Sequence, residues 1–165
     1  MGSNVGDRAA HLRGALRGLA RHVTIEAVSA VYESEPVGYR EQGRFWNLAV
    51  RGRTRLAPTA LLRALQTLEL ELGRVATFPM GPRTIDIDLL LYGDARIRTK
   101  TLVVPHERLL ERPFVLQPLL DLDVRLRHPV TREWLAIRLA ALGGASSLDR
   151  LGSAHDVLGD LSRPL

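Results

Sequence analysis

Two aspartates, Asp86 and Asp88, are separated by one residue in a stretch where apolar and polar residues alternate. This period of two predicts a β-strand over residues 85–92 and places both carboxylates on one face of a sheet. Their side chains start roughly 6–7 Å apart on that face, so the two charges repel unless a hard cation lies between them. The spacing therefore predicts a Mg²⁺ site, with two solvated surface aspartates as the alternative.

An arginine precedes this pair at the end of a loop. Gly81 and Pro82 cannot lie inside a helix or a central strand, because proline lacks a backbone N–H and has a fixed φ. Arg83 follows directly, and its planar guanidinium can bind phosphate oxygens that a metal at the aspartates also binds. A loop arginine beside two acidic residues favours phosphoryl transfer over a plain surface strand.

The composition narrows the possible classes of protein. The 165 residues are 45% hydrophobic, which suits a single domain with a real core. The net charge of +5 comes almost entirely from arginine scattered along the chain, so anionic ligands are expected, whether nucleotide or nucleic acid. No cysteine is present, which excludes disulfides, thiolate catalysis and Cys–zinc sites. Without an apolar run of membrane-spanning length or a signal pattern, a soluble cytoplasmic protein is expected.

Periodicity and helix breakers predict the remaining elements. Residues 2–7 are typical of a turn, and Asp7 is expected to cap the helix that follows. Pro58 and Gly73 bound a second helix with a leucine stripe. Strands are predicted at residues 23–32 and 46–53, and further helices at 114–120, kinked or ended near Pro118, and at 131–142. No clear period remains after these, so residues 143–165 are expected to form a weakly ordered tail.

The stretch from Gly81 to Leu90 resembles the signature of the 6-hydroxymethyl-7,8-dihydropterin pyrophosphokinase family, enzymes of folate biosynthesis. Five further blocks resemble this family in family order and at near-family spacing, namely residues 2–7, 32–36, 45–47, 72–74 and 104–106. The resemblance covers roughly the first four-fifths of the chain and is highly specific. It implies transfer of pyrophosphate from ATP to the pterin, giving AMP and the pterin diphosphate, by a two-Mg²⁺ mechanism.

Pattern and resemblance together predict an α+β fold, a ferredoxin-like antiparallel sheet with helices on both faces in three α/β/α layers. Residues 1–142 are expected to form the pyrophosphokinase domain. In the family an apolar strand precedes the turn at residues 2–7 and lies inside the sheet, whereas here that strand is apparently missing. We expect an incomplete start, because a sheet built without this strand, the alternative, would have unpaired ladders and an open apolar slot.

The resemblance also implies the roles of single residues. Asp86 and Asp88 are expected to bind two Mg²⁺ ions and, together with Arg74 and Arg83, to be the catalytic residues. The ATP-binding residues are expected to be Gln66, Arg74, Arg83, His106 and Arg112. The pterin-binding residues are expected to be Ser34, Val37, Gly38, Phe45, Asn47 and Phe114, with the two phenylalanine rings on either side of the flat pterin. From the residues alone, a capping or surface role for His106 and a core role for each phenylalanine stay open.

Two alternative hypotheses concern the function as a whole. A nucleic-acid-binding α+β domain agrees with the charge, but its strand face would then carry two aspartates that repel phosphate. An inactive relative is suggested by the missing strand and by the loop at residues 76–80, which lacks the arginine or lysine that family members often carry. Under the enzyme hypothesis the partners are ATP and the pterin, with no nucleic acid and no membrane, and the protein is expected to be a monomer.

Overall fold

Eight strands and five α-helices form the described part of the chain, residues 1–75 and 77–160, in the computed structural model. The strands are β1 (Gly2–Ser3), β2 (Thr24–Val28), β3 (Val31–Ser34), β4 (Phe45–Asn47), β5 (Val50–Arg53), β6 (Ile97–Arg98), β7 (Val103–Val104) and β8 (Leu148–Gly152). The helices are α1 (Arg8–Leu19), α2 (Pro58–Glu71), α3 (Pro113–Leu122), α4 (Leu135–Ala141) and α5 (Ala154–Leu158), with a 3-10 turn at Leu109–Glu111. None of these helices has the length and apolar content needed to cross a membrane.

Helices α1 and α2 begin at the residues that the sequence predicts. The backbone N–H of Ala10 donates to Asp7 Oδ1 at 2.9 Å, so Asp7 caps α1. Pro58 opens α2, where a missing N–H costs nothing because the first turn of a helix has no partner for it. Gly73 follows the end of α2 with a φ of 80°, a left-handed conformation that glycine adopts without strain.

The main sheet has the strand order β1-β4-β3-β8, and every neighbouring pair is antiparallel. β2 pairs with β5, and β6 pairs with β7, also antiparallel. Leu48 and Ala49 point to opposite sides: Leu48 belongs to a buried cluster with α1, α2 and α5, and Ala49 to a cluster with α3 and α4. Helices therefore cover two faces, and the predicted α+β fold with antiparallel sheets is confirmed.

Both long strands predicted in the first third of the chain are interrupted. Residues 23–32 divide into β2 and β3, and residues 46–53 divide into β4 and β5. At the break the N–H of Ala49 donates to the side-chain oxygen of Ser29 at 2.9 Å. This hydroxyl competes with the backbone carbonyls for an amide of the ladder, and the ladder stops there.

Gly2 and Ser3 form an interior strand where the sequence predicts the start of a turn, and the chain then bends at residues 5–6 before α1, as predicted. Gly2 pairs with Asn47 of β4 on one side and with Asp86 on the other. A slot of about 640 Å³ lies beside Met1 and is lined by β5 and by apolar residues of α2, α3 and the predicted strand. Within the described residues, the strand predicted at 85–92 pairs with another strand only at Asp86. Gly2 and Ser3 thus lie between β4 and Asp86, where the missing strand was expected, and the apolar slot beside Met1 is open.

Two late helices differ from their predicted bounds. Helix α3 continues through Pro118 to Leu122 instead of ending near the proline, because a single missing N–H removes only one bond of the helical ladder. Helix α4 begins at Leu135, not at residue 131. The preceding residues form a turn in which the Thr131 N–H donates to His128 Nδ1 at 3.2 Å.

The segment after residue 142 is more regular than the predicted weakly ordered tail. Strand β8 pairs with β3 at the edge of the main sheet, and Leu158 of α5 is fully buried against α1. Arg13 of α1 donates to the carbonyl of Leu158 at 2.7 Å. Elements this short give little periodic signal, so the sequence does not reveal them. The last part of the predicted tail, residues 161–165, lies outside the described residues.

Candidate active site

The register of the sheet brings the predicted metal and pterin residues to one face. Gly2 lies directly opposite Asn47 on one side and Asp86 on the other, and directly opposite residues of antiparallel strands share a face. Phe45 and Asp88, each two residues from one of these partners, lie on that face as well. Ile85 and Ile87 point the other way, into the core cluster with α1 and α2. The sheet therefore has a polar site face and an apolar core face at this point.

A buried amide and a hydroxyl form the floor of the predicted pterin site. Asn47 Nδ2 donates to Ser34 Oγ at 2.9 Å, and both residues are buried. A Cβ built on Gly2 would lie 3.0 Å from Asn47 Oδ1, so the glycine leaves the floor beside this oxygen uncovered. Gly2 is not among the predicted site residues, although a glycine in a strand often marks a close approach by a ligand or another backbone.

The two phenylalanines reach the site face from different elements. Phe45 is the first residue of β4, and Phe114 is the second residue of α3, which packs against β3, β4 and β5. Both side chains are half-buried. The guanidinium carbon of Arg112 lies 5.8 Å from the centre of the Phe114 ring. The structure thus places both predicted rings on the face that carries Asn47.

Val37 and Gly38 lie on an exposed loop at the edge of this face. Gly38 has a φ of 86°, and a Cβ there would lie 3.2–3.4 Å from the side chain of Met80. Gln42 Nε2 donates to the Met80 carbonyl at 2.8 Å, so the loop contacts the one that precedes Gly81. That second loop is the one at residues 76–80 that lacks the arginine or lysine often found in the family, and its first residue, Ala76, lies outside the described residues.

Each oxygen of Asp86 is paired with a different arginine. Arg74 Nη2 lies 3.0 Å from Oδ1, and Arg83 Nη1 lies 2.7 Å from Oδ2. Arg74 follows the end of α2, and Arg83 follows the Gly81–Pro82 turn, so two separate segments converge on one carboxylate. The two predicted catalytic arginines therefore contact a predicted metal ligand directly.

Asp88 contrasts with Asp86. Its side chain is exposed, and within the described residues it has neither a hydrogen bond nor an ion pair. It lines a small pocket together with Phe114. Burial, and next the neighbouring Arg108, lower the pKa of the Arg112 guanidinium, whereas Asp88 and Asp86 act on it in the opposite direction. The charges of both aspartates thus act on the pKa of Arg112, although within the described residues it pairs with neither of them.

Two polar residues outside the predicted set hold the cluster together. Asn4 is buried, and its side chain donates to the Gly43 carbonyl at 3.0 Å and accepts from the Arg83 N–H at 2.8 Å. Glu69 of α2 is 8% exposed and pairs with Arg74. Burial raises the pKa of the Glu69 carboxyl, while the Ile87 N–H and Arg74 oppose that rise. A helix-edge glutamate and a loop asparagine carry no local signal of these long-range contacts.

His106 and Gln66 lie at the edges of the cluster. The backbone N–H of His106 donates to the Leu90 carbonyl at 2.9 Å, close to the aspartates along the chain. Its Nδ1 accepts the Arg108 N–H at 3.1 Å, so the neutral ring carries its proton on Nε2. His106 therefore has the capping contact that the sequence left open, and within the described part of the chain its Nε2 has no partner. Gln66 is exposed on α2, and its side chain makes no hydrogen bond within the described residues.

The carboxylates of Asp86 and Asp88 suit a metal ion that binds together with a second ligand. Within the described residues, no group of three or more His, Cys, Asp or Glu side chains is arranged to hold a metal ion. Asp86 and Asp88 alone supply two carboxylates on one face. Mg²⁺ in proteins is commonly bound by one or two carboxylates, with water and substrate phosphates completing its octahedron. The residues present therefore fit Mg²⁺ shared with a phosphate substrate.

Comparison with known proteins gives one consistent result. Residues 1–124, which include every candidate site residue, match the family model of 7,8-dihydro-6-hydroxymethylpterin-pyrophosphokinase (HPPK). A 2-amino-4-hydroxy-6-hydroxymethyldihydropteridine pyrophosphokinase from Bacillus subtilis (strain 168) is 48% identical over 133 residues, covering 79% of this chain and 80% of that protein. The protein of the same name from Aquifex aeolicus (strain VF5) is 44% identical over 133 residues, covering 81% of this chain and 83% of its own length.

A relative with two functions also matches most of the chain. The bifunctional protein FolKE of Lactococcus lactis subsp. cremoris (strain MG1363) is 44% identical over 141 residues, covering 82% of this chain and 40% of that protein. Residues 1–124, the range that matches the family model, contain both the Asp86–Asp88 pair and Asn47 of the site face. The chain therefore belongs to the 7,8-dihydro-6-hydroxymethylpterin-pyrophosphokinase family of folate biosynthesis.

Proposed function

We propose that this protein transfers the terminal pyrophosphate of ATP to the hydroxymethyl group of 6-hydroxymethyl-7,8-dihydropterin, with two Mg²⁺ ions. In this reaction the substrate hydroxyl attacks the β-phosphorus of ATP, the bond from that phosphorus to the α,β-bridging oxygen breaks, and AMP leaves. The observation that carries the proposal is the pairing of Gly2 with both Asn47 and Asp86. This register places a polar floor for a flat ring beside a pair of carboxylates.

Asp86 and Asp88 would hold the Mg²⁺ ions at this site. When bound, the ions would neutralise the phosphate charge and lower the pKa of the substrate hydroxyl. The exposed carboxylate of Asp88 has no partner among residues 1–75 and 77–160, so binding of a metal would break no contact with them. Asp86 is already oriented by two guanidinium groups, which lie where phosphate oxygens shared with the metal would be expected.

The charges of the cluster support a neutral incoming complex. Four arginines, namely Arg74, Arg83, Arg112 and its neighbour Arg108, lie among the carboxylates of Glu69, Asp86 and Asp88, so with Glu69 ionised these side chains carry four positive and three negative charges, a small net charge. ATP with two Mg²⁺ ions is also close to neutral, and its binding would leave the balance unchanged. ATP alone would add four negative charges to a half-buried site, which Coulomb repulsion from the carboxylates opposes.

The pterin would lie on the site face between Phe45 and Phe114. A flat heterocycle gains from stacking on aromatic rings, and fixed polar groups at its edge provide specificity. Asn47 is suited to this role because its Nδ2 is held by Ser34 while Oδ1 points over the uncovered Gly2. The proposed order of groups along the face is therefore ring platform, amide and carboxylate pair.

The nucleic-acid hypothesis fits the same face less well. Domains that bind single-stranded RNA through a sheet stack bases on aromatic side chains of an open sheet surface. Here α3 packs against β3, β4 and β5, and two carboxylates lie on the face beside it. Phosphate would approach these carboxylates only together with a cation.

The product distribution tests the proposed function. The purified protein, incubated with ATP, Mg²⁺ and 6-hydroxymethyl-7,8-dihydropterin, is expected to release one AMP for each pterin consumed. Chelation of the metal with EDTA should stop the reaction, and excess Mg²⁺ should restore it. Formation of ADP would identify a single-phosphoryl kinase instead, and absence of any pterin-dependent nucleotide product would contradict the proposal.

Substitution of Phe114 is expected to weaken pterin binding selectively. Phe114→Ala should lower pterin affinity by roughly 5–150-fold, the equivalent of about 1–3 kcal/mol of lost ring contact and burial. Phe114→Leu keeps apolar volume without a flat ring, so it should recover only part of the loss. Pterin fluorescence titration in the presence of a non-hydrolysable ATP analogue measures both variants. Wild-type pterin affinity in Phe114→Ala would remove this ring from the site.

A further inference from the structure

Glu69 connects three separate parts of the cluster from a buried position on α2. Its Oε1 accepts the backbone N–H of Ile87 at 2.6 Å, and it also pairs with the guanidinium of Arg74. Ile87 is the residue between the two candidate metal ligands. Arg74 in turn lies 3.0 Å from Asp86. A single carboxylate therefore contacts both the backbone and the side-chain partner of the aspartate pair.

The Ile87 contact supplies a backbone bond that the sheet does not. The N–H and carbonyl of Asp86 bond to Gly2 at 2.8 and 2.9 Å, which fixes one edge of the segment. Because successive N–H groups of an extended chain point to opposite edges, the Ile87 N–H faces away from β1. No strand lies on that side within the described residues, and Glu69 takes the place of a strand partner.

Packing alone does not account for a carboxylate at this position. The buried residues of α2 are Leu61, Leu65, Leu68 and Glu69, so the glutamate interrupts an otherwise apolar stripe. Burial of a charge is costly unless it is paired and hydrogen-bonded, and an apolar residue of similar volume is often at least as stabilising. The Glu69 carboxylate therefore contributes more to the position of the Asp86–Asp88 segment than to the stability of α2.

We propose that Glu69 is a positioning residue for the metal–nucleotide complex: it fixes the backbone between Asp86 and Asp88 and orients Arg74 toward Asp86. This inference rests on the proposed function for the identity of the ligand. Groups that hold metal ligands in place typically change metal affinity or activity by about 10–100-fold when they are removed. Glu69 acts here through two other groups, the Ile87 N–H and the Arg74 guanidinium, and no substrate contact is assigned to it.

Two substitutions separate the contacts that Glu69 makes. Glu69→Ala removes both of them, whereas the amide oxygen of Glu69→Gln can still accept the Ile87 N–H but no longer carries a charge for Arg74. We expect Glu69→Ala to weaken binding of the Mg²⁺ complex of a non-hydrolysable ATP analogue by about 10–100-fold. Glu69→Gln should recover part of that loss and should keep slow hydrogen exchange at the Ile87 amide, which Glu69→Ala should make fast.

The chain offers a matched control on the same helix. Glu71 also pairs with an arginine, Arg21, but both side chains are about half-exposed. Glu71→Gln should therefore leave analogue binding, kcat and KM unchanged. In the Glu69 variants kcat should fall while KM for the pterin stays within about twofold, because the pterin floor at Asn47 lies on another strand. A general loss of folding would raise KM for the pterin as well.

Calorimetry of analogue binding, steady-state kinetics and amide exchange by NMR decide the proposal. Unchanged affinity for the Mg²⁺–analogue complex in Glu69→Ala would overturn it, and so would equal losses of pterin and analogue binding. The binding and exchange measurements do not depend on turnover. If the wild-type protein forms no AMP but Glu69→Ala still shows the two expected changes, the proposed reaction fails and the positioning role stands.

Discussion

Replacing Asp88 with asparagine is expected to lower kcat for pyrophosphate transfer by at least about 10³-fold, since a metal-bound transition state loses several kcal/mol with its ligand. The same change should alter the free energy of unfolding by less than about 0.5 kcal/mol, because an exposed side chain without protein partners contributes little to stability. Loss of activity without loss of stability would show that the Asp88 carboxylate binds the metal and does not stabilise the fold.

Asp86→Asn should abolish turnover to a similar degree but should also affect stability. Its carboxylate pairs with Arg74 and Arg83 in the free protein, so the substitution leaves two half-buried guanidinium groups without their acceptor. Thermal unfolding and AMP release should be measured on both variants, with Asp94→Asn, at an exposed turn, as the control. Activity within tenfold of wild type in either Asp86→Asn or Asp88→Asn would remove that residue from the metal site.

Local periodicity predicted the features of the site that depend on neighbouring residues. The alternation around Asp86 and Asp88 predicts that both face away from the core, and Ile85 and Ile87 are buried in the structure as that pattern requires. The leucine stripe and the Pro58 start similarly define α2. A side chain's face depends only on dihedral angles within its own element, so the sequence contains this information directly.

Contacts between distant segments were beyond local pattern. Ser29 interrupts two predicted strands through a bond to Ala49, twenty residues away. Asn4 and Glu69 contact residues 79 and 18 positions further along the chain, respectively. No period within a window of ten or fifteen residues encodes such pairs, because they arise only when register and helix packing are set together. The contacts through which Asn4 and Glu69 hold the aspartate segment were therefore visible only in the structure.

Arg74 and Arg83, which pair with Asp86, are expected to have opposite effects on the affinity for a bare metal ion and for a metal–nucleotide complex. In the free protein both carboxylate oxygens are already paired, so a bare divalent cation must displace guanidinium groups to reach Asp86. When the cation arrives with ATP, the phosphate oxygens can accept the same guanidinium groups. The arginines should therefore oppose binding of the metal alone and favour binding of the metal–nucleotide complex.

Arg83→Ala is accordingly expected to tighten binding of Mn²⁺, used as a spectroscopic substitute for Mg²⁺, by up to about fivefold, the scale of a partly exposed ion pair. The same variant should weaken binding of the metal complex of a non-hydrolysable ATP analogue by about 10–100-fold, the scale of a hydrogen bond to a charged group. The affinity of Arg83→Lys, which keeps the charge without the planar fork, should lie between those of wild type and Arg83→Ala for both ligands.

Electron paramagnetic resonance measures free Mn²⁺, and calorimetry measures binding of the analogue. A loss of affinity for both ligands would mean that Arg83 only supports the fold of the loop, and a gain for both would mean that it does not bind phosphate.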